Sequence, residues 1–206
     1  MRAFVAVTIP ATFREALAAQ AETVGRQTRD VRWIAPGNVH LTLAFLGEVP
    51  AQNADSIRSG MAAAARQQPA FSVGFGSGGT FPRGGEPRIG WVSLTGDLEA
   101  LRALQAAITR EMRQLGIRVD DRPFSPHVTL ARIGRQATPS ARIALARRFE
   151  QIQLDHLGVF TIASIALMES DLTRAGAVYR EVLSVDLGGV RSDAGPARRF
   201  RLFGQG

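Results

Sequence analysis

The chain of 206 residues contains no cysteine, which excludes a disulfide framework, a thiolate zinc site and a cysteine nucleophile, and nothing in it asks for an oxidising compartment. It contains no lysine either, all 25 basic residues being arginine, a pattern that fits a genome-wide codon bias as well as a functional choice. Long apolar runs are missing. Stretches such as Met61 to Ala65 fall far short of the roughly 20 residues of a membrane helix. Met1-Arg2-Ala3-Phe4 leads straight into a strand-like run, so neither a signal peptide nor a span is expected, and the cytoplasm is the default location. What is present is ordinary for a globular protein: 45% hydrophobic and 21% charged residues are too apolar for a disordered chain and suit one compact domain or two small lobes sharing a cleft.

The net charge of +7 invites a nucleic-acid reading, but part of the excess is local. The last 16 residues hold Arg191, Arg198, Arg199 and Arg201 against Asp193, so +3 of the total belongs to this tail. A modestly basic body suits an anionic ligand without identifying one.

Residues 2–9 alternate with a period of two, as in a half-buried strand. Pro10 then opens a helix on Phe13, Leu17, Ala21 and Val24. Short strands are expected over 31–34 and 40–46, a helix over 53–67, and strands over 71–75 and 88–94 flanking a Gly-rich stretch, with 80–84 as a short edge. Gly96-Asp97 opens a helix striped by Leu98, Leu101, Leu104, Ile108, Met112 and Leu115 and ended by Gly116. A strand over 127–133, a helix over 139–149 and two final strands over 159–168 and 177–187 follow. Several strands are joined by turns too short for parallel crossovers, so the class is α+β with largely antiparallel sheets and helices on the outer faces. Residues 1–190 read as one bilobal domain, and residues 191–206 as a flexible basic tail behind a Gly- and Pro-containing linker.

Two octapeptides carry the chemistry. His40-Leu41-Thr42-Leu43-Ala44-Phe45-Leu46-Gly47 and His127-Val128-Thr129-Leu130-Ala131-Arg132-Ile133-Gly134 share His, Thr, Leu, Ala and Gly at equivalent places. An internal duplication with pseudo-symmetric halves is the simplest account. On a strand, each His and Thr emerge on one side, roughly 6.6 Å apart, while the alternate residues face the helices. Two imidazoles and two hydroxyls converging on one volume suit in-line hydrolysis of a phosphodiester: one imidazole deprotonates water, the other protonates the leaving alkoxide, and Thr42 and Thr129 hold the non-bridging oxygens. A single strand histidine is more often structural; the duplication is what favours catalysis. A metal site is the rival, but the third histidine, His156, lies outside both repeats and reads as a surface or turn residue, and no carboxylate cluster accompanies the motif, so no metal or other cofactor is expected.

With these flanks the chain resembles the 2H phosphoesterase superfamily, in its branch of RNA 2′,3′-cyclic phosphodiesterases, also described as 2′-5′ RNA ligases. The resemblance runs from Arg2-Ala3-Phe4-Val5-Ala6 and Arg32-Trp33 through both repeats and Gly79-Thr80-Phe81-Pro82 to Gly176-Ala177-Val178-Tyr179, leaving out the tail. It implies a bilobal fold with the motifs on facing central strands and metal-independent opening of a 2′,3′-cyclic phosphate to a 2′-phosphate. It also implies His40 as proton donor and His127 as proton acceptor, roles that the residues alone leave open, with 2′-5′ ligation as the reverse reaction. Arg132 matches the family's phosphate-binding arginine, although its odd spacing from His127 points it away from the histidine face unless a bulge redirects it. Phe4 and Phe124 are candidates for base stacking or, more simply, packing residues, and Trp33 and Trp91 are assigned to the core or cleft wall. The expected partner is RNA with 2′,3′-cyclic phosphate ends or a small cyclic nucleotide, bound to a monomer; the alternatives are a phosphodiesterase for another small cyclic phosphate and a non-catalytic RNA- or nucleotide-binding module.

Overall fold

The structure, a computed structural model, describes residues 1–25, 30–82, 86–173 and 176–188; the basic tail and most of the linker expected before it lie outside the described residues. The elements are β1 (Arg2–Thr8), α1 (Ala11–Val24), β2 (Val31–Trp33), β3 (His40–Glu48), α2 (Ala54–Ala65), β4 (Phe71–Phe81), β5 (Ile89–Gly96), α3 (Leu98–Gln114), β6 (His127–Ile133), α4 (Pro139–Glu150), β7 (Val159–Ile162), β8 (Ser164–Thr173) and β9 (Gly176–Asp186). Every strand pairing is antiparallel. This is the α+β fold expected, in two halves with strand orders β3-β1-β8-β9 and β7-β4-β5-β6. The halves meet where Leu41 of β3 pairs with Val128 of β6, making the two sheets continuous. Helices α2 and α3 pack on the first half, and α1 and α4 on the second.

The halves are interleaved in the chain. β1 belongs to the first half, yet the helix that follows it covers the second. The spacing between the octapeptides therefore marks equivalent strands in space, not two consecutive lobes.

Local chemistry explains the helix boundaries. The Asp97 carboxylate caps α3 by accepting from Ala100 N at 3.0 Å, and Gly116, at φ +72°, closes it. Thr138 caps α4 in the same way, with Pro139 in the first turn. The apolar stripes of these helices and the inward residues of the strands form one core, in which Leu41, Val128, Leu104, Ile108 and Phe149 are fully enclosed.

Two expectations are corrected. The Gly-rich stretch after Phe75 does not interrupt a strand: β4 runs through it to Phe81. Its glycines allow close approach by neighbouring elements, since a Cβ at Gly79 would stand 2.6 Å from the Trp91 ring and one at Gly78 2.2 Å from the Phe149 carbonyl. The strand expected over 159–168 is two. The chain pairs with β4 up to Ile162 and with β1 from Ala166, so a single apolar alternation serves both halves, with the break at Ala163.

Arg142 of α4 is 3% exposed, and its guanidinium donates to the carbonyls of Ala137, Pro87, Gly134 and Arg135 at 2.7–3.1 Å. One buried cation thus fastens the chain entering β5 to the chain leaving β6.

Candidate active site

The free face of the sheet, opposite the helices, carries the two motifs. Along β3 and β6 the burial pattern is the same residue for residue: His40 and Thr42, like His127 and Thr129, are half-buried, with enclosed residues between and after them. Both strands bulge at the same place. Opposite β3 the register passes from Ala6↔Thr42 to Val5↔Ala44, and opposite β6 from Trp91↔Thr129 to Gly90↔Ala131. The extra residues, Leu43 and Leu130, reverse the alternation, so the next outward residues, Phe45 and Arg132, return to the histidine face. This is the redirection that the odd spacing of Arg132 required. The Phe45 ring, 53% exposed, occupies the position in the first copy that Arg132 has in the second.

The Leu41↔Val128 pair fixes how the copies face each other. One residue to either side of it, antiparallel register brings His40 across from Thr129 and Thr42 across from His127, all on the free face. The strands then run apart in opposite directions, sending Phe45 and Arg132 to opposite ends of the site.

Each imidazole is oriented by the carbonyl two residues before it. His40 Nδ1 lies 2.7 Å from Asn38 O, and His127 Nδ1 lies 2.7 Å from Ser125 O. A carbonyl only accepts, so Nδ1 carries the proton in both rings and Nε2 is the nitrogen left to take up or give a proton. His40 Nε2 is 3.0 Å from Thr42 Oγ1, whose hydroxyl donates to it when the ring is neutral. The Asn38 side chain also donates to Ala177 O at 2.8 Å, tying down the β8–β9 hairpin. That hairpin brings Tyr179 edge-on to His40, at 5.1 Å between ring centres.

Aromatic rings flank both histidines. Phe4 lies 4.8 Å from His40, while Phe81 and Trp91 lie 5.0 and 6.4 Å from His127. Burial among these rings pushes the His40 imidazole below its ordinary range, against the Asn38 hydrogen bond, and the positive charges of His127 and Arg132 add to the effect. Burial lowers His127 as well, against its bond to Ser125. The charges of the second motif act on the first histidine because the Leu41–Val128 pairing brings the two copies together.

Among the aromatic candidates, Phe4 is 3% exposed and enclosed by His40, Phe45 and Tyr179, so its faces are taken up by packing. Phe124 is half-buried against the core. Trp91 is buried and Trp33 packs on Phe149, while His156 lies exposed in a 3-10 turn. The ring that offers a face is Phe45, and beyond it opens a groove of about 850 Å³ between the end of β3 and residues 118–123. Sequence reading passed over Phe45 because strict alternation points it, like Arg132, away from the histidine face, and only the bulge in β3 turns it back. No group of three or more His, Asp or Glu that could hold a metal ion occurs among the described residues.

The chain and its fold have known relatives. A profile of the 2′-5′ RNA ligase superfamily matches residues 12–174. The chain is 30% identical over 169 residues to the RNA 2′,3′-cyclic phosphodiesterase of Aeropyrum pernix, covering 82% of this chain and 93% of that one. It is also 30% identical to the protein of that name from Thermus thermophilus, over 87% and 86% of the two chains. Among solved structures, E. coli LigT complexed with 3′-AMP superposes with a TM-score of 0.72 at 25% identity, over 91% of this chain and 98% of that one.

Proposed function

The chain belongs to the 2′-5′ RNA ligase superfamily, and from that premise we propose that it is an RNA 2′,3′-cyclic phosphodiesterase, opening a terminal cyclic phosphate to a 2′-phosphate by two-histidine acid/base catalysis without a metal ion. The observation that carries the reading is the matched pair of imidazoles on one sheet face, each presenting Nε2.

The cyclic phosphate sits between them. His127 Nε2 takes a proton from water as its oxygen bonds to phosphorus; the P–O3′ bond breaks, and His40 Nε2–H delivers a proton to the departing O3′. The products are a 2′-phosphate and a 3′-hydroxyl, with one proton gained and one lost across the pair. Each transfer contributes about 10²- to 10⁴-fold. Thr42, Thr129 and Arg132 bear on the non-bridging oxygens, where negative charge grows in the transition state. The exposed ring of Phe45 offers a face to a base. Joining a 2′ end to a 5′-hydroxyl is the related reverse step with the proton roles exchanged, and in water mass action favours hydrolysis. We assign the activity to a monomer in the cytoplasm.

An RNA ending in a 2′,3′-cyclic phosphate, incubated with the protein in excess EDTA, tests the reading. The expected product is the 2′-phosphate isomer. A 3′-phosphate, no turnover, or activity that EDTA abolishes and one divalent ion restores rejects it.

A further inference from the structure

Arg32 of β2 pairs directly with Arg132 of β6. Directly opposed residues on antiparallel strands share a face, so both guanidiniums project on the side of His127 and Thr129. Burial agrees: Val31 and Trp33, the neighbours of Arg32, pack against the core, while Arg32 and Arg132 are both exposed. β5 holds one edge of β6 from Arg132 back to His127. The other edge is shared, β3 taking it at Val128 and β2 at residues 131–133, with Ile34 N donating to Leu130 O at 2.8 Å between them. Arg32 therefore stands where β3 parts from β6, on the His40 side of the second motif.

Like charges placed directly opposite on a sheet are destabilising. Here neither guanidinium has a hydrogen-bond or ion-pair partner among the described residues, although Arg88, Arg110, Arg113, Arg122 and Arg180 all have acidic ones. The arrangement is one that an anion would relieve. The cyclic phosphodiester brings a single negative charge, and Arg132 with one imidazolium already answers it. Arg32 is a cation in excess of what the reacting group requires.

We propose that Arg32 is the contact for a second phosphate, the 5′-linked phosphodiester of the terminal nucleotide, so that the site distinguishes an RNA end from a free cyclic mononucleotide. The proposal rests on the cyclic-phosphodiesterase reading and adds to it a substrate class and a residue.

The test compares adenosine 2′,3′-cyclic monophosphate, which lacks that phosphate, with a tetraadenylate ending in a 2′,3′-cyclic phosphate, on the full chain and on Arg32→Gln and Arg32→Lys. In Arg32→Gln, kcat/KM for the tetranucleotide falls about tenfold, through KM, and its salt dependence weakens by about one phosphate contact. The mononucleotide rate stays within twofold, Arg32→Lys recovers part of the loss, and thermal stability is unchanged or raised because the like-charge pair is gone. An unchanged tetranucleotide rate overturns the proposal. So does an equal loss on both substrates, which would put Arg32 on the reacting phosphate. If the unsubstituted protein turns over neither substrate, the phosphodiesterase reading itself falls, and the mononucleotide control separates that result from failure of the Arg32 site.

Discussion

Leu41 faces Val128 across an antiparallel pair, and that pair converts two copies of a motif into one site. It sets His40 beside Thr129 and Thr42 beside His127, so each imidazole has the other copy's hydroxyl across from it as well as its own along the strand. Both partners of the pair are fully buried, which anchors the register in the core beneath the histidines and threonines.

His40→Ala and His127→Ala each lower kcat for cyclic-phosphate opening by at least about 10²-fold, because each removes one proton transfer. Neither ring belongs to the apolar layer, so the far-UV circular dichroism spectrum is retained. Near-normal turnover by either variant rules out the two-histidine mechanism.

The pH dependence follows from burial. Both imidazoles are held below the ordinary histidine value of about 6.5, so in the free enzyme the base is ready at lower pH and the acid loses its proton at lower pH. The kcat/KM profile is a bell with its maximum on the acid side of 6.5. Bound phosphate stabilises imidazolium, so the alkaline limb of kcat lies higher than that of kcat/KM. The same depression makes the unfolded histidines bind protons more readily, so their contribution lowers folding stability as pH falls below 6.5. A kcat/KM maximum above neutrality contradicts this account.

Arg132→Ala lowers kcat/KM about 10- to 100-fold, the cost of a lost charged hydrogen bond, with partial recovery in Arg132→Lys. The effect depends on the bulge at Leu130, which returns Arg132 to the histidine face. Steady-state kinetics on a cyclic mononucleotide reads it out, and an unchanged rate removes Arg132 from the site.

Arg142→Met strips four carbonyls of their donor, those of Ala137 and Pro87 in buried bonds, and destabilises the fold by about 3 kcal/mol. Urea unfolding monitored by circular dichroism measures it. A loss below about 1 kcal/mol would show that water or a local shift satisfies those carbonyls.

The amino-acid sequence by itself determined the class of fold, the helix boundaries and the histidine and threonine pairs. Each of these is written in short-range chemistry: a period of two or 3.6, a capping side chain, a glycine past a helix end, an octapeptide repeated. Tertiary structure alone decided what depends on pairing between distant segments. Alternation within β6 points Arg132 away from His127, and only its pairing with β5 shows the extra residue that turns it back. The Gly-rich part of β4 reads as a break until the Trp91 ring at Gly79 and the Phe149 carbonyl at Gly78 are seen filling the space where side chains would stand. Asn38 and Ser125 carry no signal as partners of the histidines, because the groups that orient the rings are backbone carbonyls, which every residue possesses. The opposition of Arg32 and Arg132, separated by 100 residues, exists only because β2 takes the edge of β6 that β3 leaves, an outcome of strand order that no local pattern encodes.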